Sequence, residues 1–238
     1  MIGIYLQATI GLFSAIVAWN SFKSFERTED ISLKFFALAF LFFSLHSWTL
    51  VSGVLMSEVL NMGILKPSAI LAKVLLHGGV LFLLQAPLFQ KRKFFQKYNG
   101  FVVIVIVLLS LLGAYYQYVS ESPIYVTENG FIVENISNPL LYVSILLPLY
   151  FLVGFFVCYL MSALPRYLSF FSAKIYLFSV GMLVMLFGYS LYITSTGSFD
   201  SMIGVANVFV GDLLIVTAIL MPSVRRFLIR NNQSYTKV

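Results

Sequence analysis

The stretch LAKVLLHGGVLFLLQAP, Leu71–Pro87, decides how the chain is read. It is apolar enough to lie in a lipid bilayer, yet it carries Lys73 and His77 one helical turn apart, with Gln85 beyond them. A soluble chain carries about 25% charged residues. This one, of 238 residues, has 10% charged and 60% hydrophobic residues and a mean hydropathy of +0.94. Apolar windows of about 20 residues recur from end to end, each long enough to cross a hydrocarbon core of about 30 Å as a helix. Leu71–Pro87 therefore reads as a transmembrane segment. Its ionisable residues must face other helices rather than lipid.

The same pattern predicts an all-α polytopic membrane protein, a bundle of seven transmembrane helices. The spans fall at about 2–22, 33–56, 67–89, 99–119, 139–163, 172–195 and 202–223. The basic residues then sort to one side. Lys23, Arg27 and Lys34 lie around the first connection, and Lys91, Arg92, Lys93 and Lys97 around the third. Arg166 and Lys174 flank the fifth, and Arg225, Arg226, Arg230 and Lys237 follow the last span. These are 13 of the 15 basic residues. The opposite side holds Lys66 with Glu58, Glu121, Glu128, Glu134 and Asp200. The positive-inside rule puts the N-terminus out and the C-terminus in, which an odd number of spans requires.

Residues 1–224 form the seven-helix domain on this reading, and 225–238 a basic cytoplasmic tail. The net charge of +6 sets topology, so the expected partner is the bilayer of a bacterial-type inner membrane and not nucleic acid. MIGIYLQATIGLFSAIVAW is followed, not preceded, by basic residues. That charge order reverses a signal peptide's and marks a first transmembrane helix. The single cysteine, Cys158, excludes an intrachain disulfide.

The loop between the fourth and fifth spans, about 120–138, contains SPIYVTENGFIVENISNP. Asn129-Gly130 lies between two alternating runs and suits a type I′ turn, so a small extracytoplasmic β-hairpin is predicted, about Ile124–Glu128 against Phe131–Asn135. It is either a plain connector or a lid over an outward-facing pocket. Tyr115–Tyr118 sits at an interface as an aromatic belt. Gly181 and Gly188, and Gly204 and Gly211, are spaced for close helix packing.

Four ionisable residues lie deep within spans: His46, Lys73, His77 and Asp212. At about 1.5 Å per residue, His46, His77 and Asp212 fall near one depth, with Lys73 a turn nearer the outside. Lys73 and His77, spaced i and i+4, point the same way. Asp212, the one carboxylate in any span, is the expected counter-ion of Lys73 or the acceptor that orients a histidine. The layer is either a polar clamp between helices or a ligand pocket. Gln85, Asn207 and Trp48 are further candidate lining residues, with Gln7, Tyr189 and Tyr192. A different reading makes His46 and His77 axial ligands of one haem b. For a zinc site two histidines and one aspartate are ligands enough, but no compact ligand motif is present, and otherwise no cofactor is expected. No phosphate loop, G-x-S-x-G or H-E-x-x-H motif is present, which argues against a familiar soluble-enzyme chemistry.

Seven spans with the N-terminus out is also the topology of rhodopsins and G-protein-coupled receptors. The last span, MIGVANVFVGDLLIVTAILMP, lacks the lysine that retinal needs, and the receptor motifs are absent. SLKFFALAFLFFSLHSWTL and SAKIYLFSVGMLVMLFGYSLYI resemble the second and sixth helices of the seven-transmembrane input regions of bacterial sensor kinases and related signalling proteins. The resemblance implies a sensor that binds a small-molecule ligand. No kinase or cyclase domain follows RRFLIRNNQSYTKV in this sequence, so signalling would run through a partner protein. A small transporter is the remaining alternative, and it needs a polar path through Lys73, His77 and Asp212.

Overall fold

The computed structural model describes residues 2–60, 63–85, 93–120, 124–134, 143–144, 146–150, 170–194 and 197–235. The elements are α1 (Ile2–Thr28), α2 (Ile31–Leu60), α3 (Leu65–Gln85), α4 (Lys93–Val119), β1 (Ile124–Val126), β2 (Ile132–Glu134), α5 (Phe170–Thr194) and α6 (Ser198–Tyr235). Among the described residues, six helices are long and apolar enough to cross a membrane. The chain is thus a helical integral membrane protein. The expected fifth span, 139–163, lies outside the described residues apart from 143–144 and 146–150, which are helical.

Local chemistry sets the helix ends. Glu29 stops α1 in the left-handed conformation, φ 55°, and its amide donates to the Phe25 carbonyl at 2.7 Å. Asp30 then caps α2, its Oδ1 accepting from the Ser32 amide at 2.9 Å. The first two helices are joined by two residues and must run antiparallel. Pro67 sits in the first turn of α3, where its missing N–H leaves no hydrogen bond unmade. α6 has 38 residues, about 57 Å of helix, and exceeds the hydrocarbon thickness. The segment 225–235, expected as a basic tail, continues that helix.

The hairpin differs in register from the sequence expectation. Its partners are Ile124 with Glu134, Tyr125 with Val133 and Val126 with Ile132. Gly130 N–H donates to the Thr127 carbonyl at 2.7 Å, and Thr127 N–H to the Phe131 carbonyl at 2.8 Å. Only Gly130 of this turn has positive φ, 79°. A three-residue loop with a glycine bulge therefore replaces the type I′ turn, which needs positive φ at Asn129 as well. A one-residue change of pairing exchanges the side-chain neighbours across the hairpin, and Glu134 gains its place at the end of β2.

The helices pack in the order α4, α3, α2, α1, α6, α5, with α5 and α6 forming the most extensive pair. α5 also meets α2 through Phe36–Phe178 and His46–Tyr189. Small residues set the closest approaches. A Cβ on Gly188 would lie 2.5 Å from the Val208 nitrogen, and one on Gly204 2.6 Å from the Tyr192 nitrogen. Polar side chains tie α2 to both neighbours. Ser44 Oγ donates to the Gly11 carbonyl of α1 at 2.8 Å, and His46 Nδ1 bonds the Ala72 carbonyl of α3 at 2.7 Å. Such interhelical bonds contribute about 0.6–2 kcal/mol each in a membrane.

A concrete consequence concerns the α5–α6 seam. Gly188→Val forces a branched side chain onto backbone atoms and should destabilise the bundle by about 1–3 kcal/mol or more. Gly100→Ala, with nothing within 4 Å, should leave the thermal midpoint in detergent nearly unchanged. Equal midpoints for the two variants would contradict the packing.

Candidate functional site

The hairpin is not a loose connector. Phe131 and Val133 are buried, 3% and 1% exposed, and β2 packs against α5 and α6. Its turn is held to the start of α1, where the Gly3 amide donates to the Asn129 carbonyl at 2.8 Å. A Cβ on Gly3 would come within 2.6 Å of the Gly130 carbonyl oxygen, so glycine permits that contact. The hairpin thereby enters the end of the bundle at which α1 begins.

Glu134, the last residue of β2, forms an ion pair with Lys73 of α3. The side chains are 9% and 14% exposed. This corrects the expectation that Asp212 is the counter-ion of Lys73. The carboxylate comes from a connecting loop because Lys73 is only about 12 Å from the start of α3, within reach of an inserted hairpin.

Beneath the ion pair is a cavity of about 40 Å³, lined by His46 and Leu50 of α2, Ala69, Ala72 and Lys73 of α3, Ile132 and Glu134 of β2, and Tyr192 and Ile193 of α5. It has room for a few waters. The Ala72 carbonyl can only accept, so His46 Nδ1 carries the proton of their hydrogen bond. In that tautomer Nε2 is an acceptor, and it has no hydrogen-bond partner. Glu134 Oε1 is likewise buried without one. Two acceptor-bearing residues and an ammonium thus border one small, mostly apolar chamber. Tyr192 contacts the Ile132 backbone and closes the α5 side.

The sequence candidates divide around this chamber. Lys73 and His46 line it. His77 is buried beside His46, one turn further along α3. Asp212 is elsewhere, buried against Ser14 of α1 and near Tyr189 of α5. Gln85 is engaged with Asn99 of α4 through reciprocal amide bonds of 2.8 and 2.9 Å. Asn207 Nδ2 donates to the Ile203 carbonyl of its own helix at 2.8 Å. Trp48 is 43% exposed on the outside of the bundle. Gln85, Asn207 and Trp48 therefore do not line the cavity. Gln7 borders a smaller one, about 10 Å³, between α1, α2 and the hairpin turn. Glu134 was missed as a site residue because it reads as an outer-loop acid. The signal for it is its position at the end of the alternating run FIVE, where a strand that enters the bundle carries a charge inward.

The α2–α3 seam that carries His46 and His77 has no porphyrin-sized gap in this structure. The α2–α3 seam is closed, since a Cβ on Gly79 would lie 2.3 Å from the Phe43 ring. The cavity beside His46 has the volume of a few waters. Among the described residues no group of three or more His, Cys, Asp or Glu gathers as a metal site. No protein-family model, curated protein or solved structure matches the chain.

Removing one member of a buried ion pair strands the other, at a cost of about 3–5 kcal/mol. Lys73→Met and Glu134→Gln should each lower stability in that range, and the double variant should lose less than the sum. A thermodynamic cycle measured by unfolding in mixed micelles checks this. Strict additivity would show that the two side chains do not interact.

Proposed function

We propose that this chain is a receptor-like membrane protein that binds a small polar ligand in the chamber beneath the hairpin and signals through a partner. One observation carries the reading: a loop carboxylate is inserted onto a helix lysine directly above acceptors that the protein itself leaves without partners. A clamp needs only the ion pair. A chamber with a fixed imidazole acceptor and a replaceable carboxylate also favours recognition. The ligand class follows from the atoms. A small carboxylic acid would take Lys73 from Glu134, and an O–H or N–H on its adjacent carbon would donate to His46 Nε2.

The chamber is too small for such a ligand with Glu134 in place, so binding displaces Glu134 and moves β2. β2 touches α5 and α6, and Tyr192 of α5 contacts Ile132. The change therefore reaches the helix pair most extensively packed in the bundle. The proposal takes seven spans, with residues 139–163 as the fifth, the N-terminus and hairpin outside and the C-terminal end of α6 inside a bacterial-type inner membrane. Basic residues at the α1, α3 and α6 ends support that orientation. It is the architecture expected from the resemblance to sensor-kinase input regions.

Thermal unfolding of the purified chain with acetate, lactate, glycine or alanine tests the proposal. Lactate or an amino acid should raise the midpoint by several degrees, and acetate, which lacks the donor, by less. Lys73→Met should abolish the response. No shift with any of the four, or an equal shift in Lys73→Met, would contradict it.

A further inference from the structure

We infer that Asp212, Ser14 and Tyr189 form a second site, between α6, α1 and α5, that holds one monovalent cation, either a proton or a sodium ion. Asp212 lies about 21 Å from the start of α6, well inside the span. It is 1% exposed, as is Ser14, and Tyr189 is 2% exposed. Neither Asp212 carboxyl oxygen, nor Ser14 Oγ, nor the Tyr189 hydroxyl makes a close hydrogen bond; Ser14 is in loose reach of the carboxyl and Tyr189 of Ser47. Ser14 thus lies beside Asp212, and Tyr189 neighbours both Asp212 and Ser47 of α2. Lys73 is committed to Glu134, and among the described residues no basic side chain pairs with Asp212.

A carboxylate buried in a span with one hydroxyl in loose reach is costly, because no bulk water completes it. A bound cation balances that carboxylate and takes the Ser14 hydroxyl as a further oxygen donor. Oxygen-only donors suit a hard cation rather than a soft one. One carboxylate balances one positive charge, whereas a divalent ion would leave a buried charge uncompensated. A proton gives the same balance, making the carboxyl a donor to one neighbour and an acceptor from another. The groups facing Asp212 are Ser14 from α1 and Tyr189 from α5, with Ser47 of α2 behind Tyr189. The His46 ring packs edge-on to Tyr189 at 5.4 Å, and Tyr192 also neighbours Tyr189. This site is separate from the chamber under the hairpin and stands whether or not that chamber takes a ligand.

The test is thermal unfolding of the full chain in detergent, first in sodium chloride against choline chloride at constant pH and ionic strength. A second series runs from pH 5 to pH 8 in choline chloride. For a sodium site, the wild-type midpoint rises with sodium concentration and Asp212→Asn shows no rise. Ser14→Ala should need about tenfold more sodium for the same shift. For a proton site, sodium has no effect. The wild-type midpoint then falls as pH rises, because the folded chain holds a proton that the unfolded chain releases, and Asp212→Asn loses that slope. Should Asp212→Asn not accumulate, Ser14→Ala and Tyr189→Phe carry the comparison, with a weakened sodium response or a shallower pH slope expected. A wild type indifferent to both sodium and pH overturns the site. Variants that respond like the wild type also overturn it.

Discussion

A lysine held about 12 Å inside an apolar helix must either reach water or find a carboxylate. Here it finds Glu134. That ion pair joins the irregular part of the chain to the regular part. Without it, β2 would have no electrostatic reason to lie in the mouth of the bundle, and Lys73 would be a stranded charge. With it, the hairpin turn settles on the α1 start, Phe131 and Val133 are buried, and Tyr192 meets the β2 backbone. The small chamber beside His46 exists because the strand ends there.

The two buried polar centres are built on different principles. The Lys73–Glu134 centre is charge-balanced by side chains from a helix and a strand, with spare acceptors beside a small cavity. The Asp212 centre has one carboxyl group and only neutral hydroxyls near it. Tyr189 lies between them, ring to ring with His46 and close to Asp212. Both centres touch α5, whose glycines bring it within backbone contact of α6. A change at either centre is therefore presented to the same helix pair, the one that carries the basic C-terminal end.

The helices were legible because lipid imposes a length and a composition on each, and six of the expected spans coincide with described helices to within a turn or two at most ends. The polar layer was legible only as a set of unusual residues. Periodicity gives depth along a helix but not which faces meet. Asp212 thus looked like the partner of Lys73, although α6 borders α1 and α5 while Lys73 faces the hairpin. Gln85 and Asn99 found each other, Asn207 turned to its own helix, and Trp48 faced outward, for the same reason. Asn129-Gly130 marked the turn, but its type depends on whether Asn129 enters positive φ. The structure places that conformation at Gly130 alone, which fixes where Glu134 ends up.

Solid-state NMR of the lipid-embedded chain measures the partner of Lys73 most directly, using nitrogen-labelled lysine side chains with carbon-labelled glutamate or aspartate carboxyls in separate samples. The account predicts a Lys73 Nζ contact of about 4 Å or less with a glutamate carboxyl, lost in Glu134→Gln. A contact with an aspartate carboxyl that disappears in Asp212→Asn, or no carboxyl contact at all, would contradict it.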